Sequence, residues 1–389
     1  MVNANAAQEK IARLPLNTKT FLSGPVGCGK TTTGVTRLEH LLKQGVPGDT
    51  ILILTPQRTL QDPYLDVLYS PEREAGGEVT PATVGGLARR MVDLFWPLAA
   101  EVAGFAHPDQ EPVFLTLETA QYYMALLVRP LLDEGYFESI TIDRNRLYSQ
   151  IIDNLNKSAV IGFPVDEIGE RLDAAWLGDP SQRRVYKDAQ HCATIFRKYC
   201  LDHNLLDFSL QLDVFWNVLW HEGSIRDYLT RTYRHLIYDN LEEDVPRGHD
   251  IVRDWLPDFD SALLIYDEGG GYRRFLGSDP QVGWSLRDLC DEHAVLEDSF
   301  VTSNGMADLN VALSNAILPG ETNRETGAGI LEPGTFHLIQ SRFYPELLDE
   351  IVAETEILIN DFQVPPSEIV MVAPYLSDAL RFSISCRSG

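Results

Sequence analysis

Residues 21–31 read FLSGPVGCGKT, a short apolar run followed by two glycines five positions apart, a lysine and a threonine, and the amphipathic stretch TTGVTRLEHLLK comes next. No other feature constrains the fold so much. An apolar strand, a glycine turn and a helix predict a β-loop-α unit, and such units build a parallel α/β sheet with helices on both faces. In the pattern G-x-x-x-x-G-K-T, Gly24, Gly29, Lys30 and Thr31 hold the fixed positions. The loop Gly24, Pro25, Val26, Gly27, Cys28, Gly29, with Thr32 behind Thr31, predicts backbone N–H groups curled around a phosphate at the positive end of a helix. Lys30 is placed to reach the β- and γ-phosphates of a nucleotide and Thr31 to ligate Mg2+. A chance match in a chain of 389 residues arises about once in a hundred, so a bound nucleotide is the expectation.

A chain of this length is expected to hold two or three domains. Apolar residues at 44% and charged residues at 23% exclude wholesale disorder. The start, MVNANAAQEKIARL, has no apolar core of a signal peptide, and nowhere do about 18 uncharged apolar residues run together. No membrane association and a cytoplasmic location are therefore expected. The five cysteines form no C-x-x-C pair, which argues against a disulfide framework and against a zinc site. The net charge of −25 is unusual for a nucleic-acid binder, whose affinity comes largely from phosphate neutralisation. The clusters RRM (Arg89 to Met91) and YRR (Tyr272 to Arg274) either line a basic groove or are solvated charges.

Further along come TILILTPQRTLQDPYL, VTPATVGGLARRMVDLF, LLDFSLQLDVF, HLIYDNLEED, LLIYDEGGGYRRFLGSDP and LEDSFVTSNGMADLNVALSNAIL. In this order, after AAQEKIA and the glycine loop, they resemble the UvrD/Rep branch of superfamily 1 DNA helicases. The resemblance covers nearly the whole chain, and the glycine loop is its one specific motif. It implies ATP and Mg2+ as cofactors and single-stranded DNA as a partner. It further implies that Gln8 reads adenine, that Asp239 joins Thr31 in holding magnesium, and that Phe300 stacks on adenine. Thr55 and Thr83 fall in segments that touch the DNA backbone, and Phe275 falls where an aromatic stacks on a base.

The departures concern catalysis. Asn240 stands where the family has its catalytic glutamate, and an amide orients a water without taking its proton. Gly270 stands in place of a glutamine that senses the γ-phosphate, and Val301 and Leu276 in place of arginines. The set predicts a site that keeps nucleotide affinity and loses transition-state stabilisation. Glu242 or Glu243 could supply a substitute base.

The resemblance implies a P-loop NTPase (RecA-like) α/β domain assembled from residues 1–100 and 205–285, with a helical insertion at 101–204 and the start of a second RecA-like domain at 286–389. In the last part FHLIQS and EIVMVAPY are predicted strands flanking the helix YPELLDEIVAETEILINDF. The chain stops at LSDALRFSISCRSG, before the rest of a second domain, as either a piece of a longer protein or a shortened one. Two functions stay open: part of an ATP-dependent DNA helicase or translocase with impaired hydrolysis, or a non-hydrolysing subunit that binds DNA or a protein partner in a repair or recombination complex. A small-molecule kinase would share the glycine loop but leaves the later segments unexplained.

Overall fold

The computed structural model describes residues 4–71, 76–297, 299–317 and 336–373. Its strands are β1 (Lys19–Gly24), β2 (Ile51–Leu54), β3 (Thr80–Ala82), β4 (Val113–Phe114), β5 (Leu205–Leu206), β6 (His235–Tyr238), β7 (Ser261–Asp267) and β8 (Glu292–Val295). Six of them form one parallel sheet in the order β3-β2-β6-β7-β1-β8. The chain is thus α/β, as the β-loop-α pattern predicts.

Side chains alternate across a strand, so each strand divides its residues between two cores. Phe21, Leu52, Leu54, Leu236 and Leu264 face one way. Leu22, Ile51, Ile53, Ile237 and Ile265 face the other, where they meet Leu38 and Leu41 of α2 (Lys30–Lys43, following α1, Ala6–Ala12) and Tyr64 of α3 (Asp62–Leu68). Strands buried on both faces read as unbroken apolar runs, which is why ILIL and HLIY are legible in sequence. The first core continues without a break through α4 (Val84–Leu94) into the helices Leu117–Asp133, Arg144–Ile161, Arg183–Asp202 and Phe208–Asn217. The expected helical insertion is therefore fused to the sheet rather than separate from it. Its two ends are tied together by β4 and β5, which pair in parallel with Val113 opposite Leu205.

Two expectations change. The boundary at 285 moves outward, because β8 pairs with β1 (Leu22 opposite Ala294) and closes that side of the sheet, so the first compact unit runs to Val301. In the second unit the helix Tyr344–Asn360 forms as predicted. FHLIQS and the described part of EIVMVAPY form no strand, for neither finds a ladder partner among the described residues; Pro374 and Tyr375 lie outside them. A strand exists only through its inter-strand hydrogen bonds, and an apolar run alone does not make one.

The register sets the carboxyl ends of the strands level: Gly24 lies opposite Asp267, and Leu54 opposite both Tyr238 and Ala82. The glycine loop, Thr55, Thr83, Asp239 and Asp267 consequently emerge along one edge of the sheet, where ligands bind in open parallel sheets.

Candidate nucleotide-binding site

The loop leaves β1 at Gly24 and enters α2 at Lys30, with Gly29 as the N-cap and no side chain capping the helix. Gly27 and Gly29 have φ of 81° and 82°, in the left-handed region that side chains avoid. Space demands glycine as well. A Cβ on Gly29 would strike the amide nitrogen of Gln8, and one on Gly27 would strike Val301 and approach Ser299 Oγ to 2.8 Å. The loop is clamped between α1 and the segment 299–301.

Lys30 is 5% exposed and turned into the loop. Its Nζ donates to the carbonyls of Gly24 at 2.8 Å and Pro25 at 2.6 Å, lies 3.4 Å from Cys28 Sγ, and forms an ion pair with Asp267 at the end of β7. Asp267 carries no role in the sequence reading, yet a signal existed: LIYD occurs twice, at 236–239 and 264–267, each time as a buried strand ending in aspartate. Asp239, 1% exposed, accepts from Tyr64 Oη at 2.8 Å and from the Asn240 N–H at 2.9 Å, and Thr31 lies close to it. Burial raises its pKa, and the neighbouring Tyr64 and Thr31 hydroxyls and the Asn240 N–H oppose that rise. Among the described residues no group of three or more His, Cys, Asp or Glu side chains is arranged to hold a metal unaided. Thr31 and Asp239 suit Mg2+, a hard cation that takes one or two protein oxygens and completes its shell with phosphate and water.

Gln8 touches the loop, but its amide is occupied. Nε2 donates to the Cys28 carbonyl at 3.1 Å, and Oε1 accepts the Asn5 N–H at 2.8 Å in a capping box. The Phe300 N–H donates to the Gly27 carbonyl at 3.0 Å while its ring is 60% exposed, and Val301 packs apolar carbon against the loop where the resemblance calls for an arginine. Pro25 and Thr32 are half-buried, Val26 is exposed and Cys28 is buried.

Asn240 sits at φ 59°, ψ 48°, a left-handed position that asparagine tolerates better than most residues. Neither neighbouring glutamate is free to replace a base. Glu243 accepts the backbone N–H groups of Gly271, Tyr272 and Arg273, each at 3.0 Å. Glu242, 1% exposed, accepts the Asp267 N–H at 2.8 Å, and burial pushes its pKa up to about 8. Gly270 packs closely, since a Cβ there would lie 2.7 Å from Glu242 Cγ. Because the folded pKa of Glu242 exceeds its unfolded value, its neutral form favours folding at acid pH. That contribution is lost as pH rises toward about 8. Glu242→Gln is therefore expected to flatten the fall in stability between about pH 5 and pH 8, measured as thermal unfolding at both ends; parallel curves for the two proteins would contradict it.

The nucleic-acid expectations divide. Thr55 is fully buried, donates to the Gln57 carbonyl at 2.9 Å and accepts from Gln61 at 3.1 Å, so its hydroxyl shapes the turn and does not face a ligand. Thr83 caps α4 through the Gly86 N–H at 3.0 Å. It lines a cavity of about 230 Å³ with Pro56, Arg247 and Arg273, although Glu243 and Asp244 share the wall. The turn pinned by Glu243 leads to Phe275, and Tyr272 and Phe275 are 79% and 71% exposed. In the RRM cluster both arginines are exposed; Arg89 lies 4.5 Å over the Phe114 ring, and Arg90 donates to Tyr233.

No protein-family model matches the chain, and no curated protein sequence matches it.

Proposed function

We propose that this chain is a UvrD/Rep-like, RecA-type nucleotide-binding module that binds Mg-ATP at the glycine loop and single-stranded DNA on the same sheet edge, with little or no hydrolysis. The observation that carries the proposal is the convergence at the loop: Lys30 lies inside it against Asp267, and Asp239 is buried close to Thr31, the first residue after that lysine. When bound, ATP with magnesium supplies the polyphosphate charge and the γ-phosphoryl group. Lys30 would hold the β- and γ-phosphates, the first turn of α2 offers uncapped N–H groups, and Thr31 with Asp239 would hold the metal. The α/β sheet order, with the loop strand β1 between β7 and β8, is compatible with a RecA-like fold.

The non-hydrolysing reading is favoured over an active motor by the engaged state of Glu242 and Glu243 beside Asn240. Equilibrium titration with a fluorescent ATP analogue, in competition with ATP and GTP, tests the nucleotide site; absence of binding in Mg2+ would remove it.

Exposed Phe275 and Tyr272 support the DNA partner, because bases stack on aromatic rings without sequence preference. Phe275→Ala is expected to weaken single-strand binding by about 1–3 kcal/mol, and the acidic total makes that binding weak and steeply salt-dependent. Fluorescence anisotropy with a single-stranded oligonucleotide at two salt concentrations checks both points. No binding even at low salt, with or without ATP, would favour a protein partner in a repair or recombination complex.

A further inference from the structure

The most enclosed polar contact near the loop involves a residue that no motif marks. Tyr64 is fully buried in the core that holds Leu38 and Ile265, and its Oη donates to Asp239 Oδ2 at 2.8 Å. Lys30 pairs with Asp267 rather than with Asp239. The Asp239 carboxylate is therefore held by two hydrogen-bond donors, the Tyr64 hydroxyl on Oδ2 and the Asn240 N–H on Oδ1.

A tyrosine buried only for packing needs some acceptor for its hydroxyl, and a backbone carbonyl would serve. Here the acceptor is the carboxylate beside Thr31, and a second element is cut to allow it. Helix α2 carries Gly34 where any side chain would strike Tyr64 Oη and come within 2.9 Å of Ile265 Cδ1. Glycine inside a helix disfavours the helix relative to alanine, so the notch is maintained against local propensity. The space left at Gly34 thus admits the Tyr64 hydroxyl that is bonded to Asp239 Oδ2.

We propose that Tyr64 is a positioning residue for the magnesium of the bound nucleotide, acting through Asp239 and never touching the ligand, with Gly34 as the notch that admits its hydroxyl. The proposal rests on the nucleotide-binding function given above. Groups that orient a metal-associated carboxylate set metal affinity, commonly by about 10–100-fold on mutation. They do not set the grip of a phosphate loop on the nucleotide itself. Tyr64 should thus govern how much Mg2+ is needed, and Lys30 how tightly the phosphates are held.

The test titrates MgCl2 into the full chain with a fluorescent ATP analogue, alongside the same binding measured in EDTA. Tyr64→Phe, which keeps the ring, is expected to raise the Mg2+ concentration for half-maximal enhancement by about tenfold and to leave affinity in EDTA unchanged. Gly34→Ala should do the same by displacing the hydroxyl. In an Asp239→Ala background Tyr64→Phe should shift nothing further, because the group it acts through is gone. Thermal unfolding of each variant establishes that it folds. An unshifted Mg2+ requirement in folded Tyr64→Phe, or an equal loss of affinity with and without Mg2+, overturns the proposal and leaves the nucleotide site standing. A wild-type chain that binds no ATP under either condition overturns both.

Discussion

Lys30→Ala is expected to weaken Mg-ATP binding by about 2–5 kcal/mol, roughly thirtyfold or more. The ammonium group is already desolvated, 5% exposed, and is held in place by the Gly24 and Pro25 carbonyls and by Asp267. Alanine removes the charge and also leaves the Asp267 carboxylate without its counter-ion at the mouth of the loop, where it would repel a phosphate. The fold should survive the change, because the Asp267 side chain is 25% exposed and water can take over part of the solvation. Titration of both proteins with the fluorescent analogue, paired with thermal unfolding, separates the two effects. Equal affinities would mean that the loop holds no phosphate.

The parts of the molecule legible in the sequence are those in which one segment contains its own explanation. GPVGCGKT needs only its glycines and the helix behind it, and ILIL and HLIY announce buried parallel strands by being apolar throughout. β8, sequence EHAV, escaped because it is an edge strand with three of its four residues exposed, so burial left no pattern in it. FHLIQS and EIVMVA gave the opposite error, an apolar run with no ladder to join among the described residues. Within the site, Gly270 stood out as a departure, but the side chain that crowds it, Glu242, lies 28 residues earlier in sequence. Tyr64 and Asp239 are 175 positions apart, and nothing local in either segment predicts that they meet. Thr55 shows the converse, a hydroxyl at a motif position that folding turns inward to Gln57 and Gln61. Residue type at a motif position identifies a candidate, and the hydrogen bonds that the side chain has already made decide what it is free to do.

The same distinction governs hydrolysis. Wild-type protein is expected to show no DNA-stimulated ATP turnover above background, and Asn240→Glu is expected to recover less than about a tenfold gain, although a general base is typically worth about 10²–10⁴-fold. The substitution meets three obstacles. Glutamate at φ 59° enters a left-handed position that asparagine occupies with less strain, so the new carboxylate is bought with a less stable turn. It also arrives beside Glu242, whose pKa of about 8 leaves that carboxyl largely protonated at neutral pH and bonded to the Asp267 N–H. Finally, the γ-phosphate contacts that the resemblance to UvrD/Rep helicases implies have no counterpart at Gly270 and Val301, and a glutamine at 270 cannot simply be added while Glu242 Cγ lies 2.7 Å from its Cβ position. Catalytic groups that act as a unit are strongly non-additive, so one restored member among several missing ones contributes little. Phosphate release by both proteins, with and without single-stranded DNA, measures the outcome. Rapid DNA-stimulated release by the wild-type chain would mean that Glu242, Glu243 or another group serves as the base, and Glu242→Gln and Glu243→Gln would then show which of them turnover depends on.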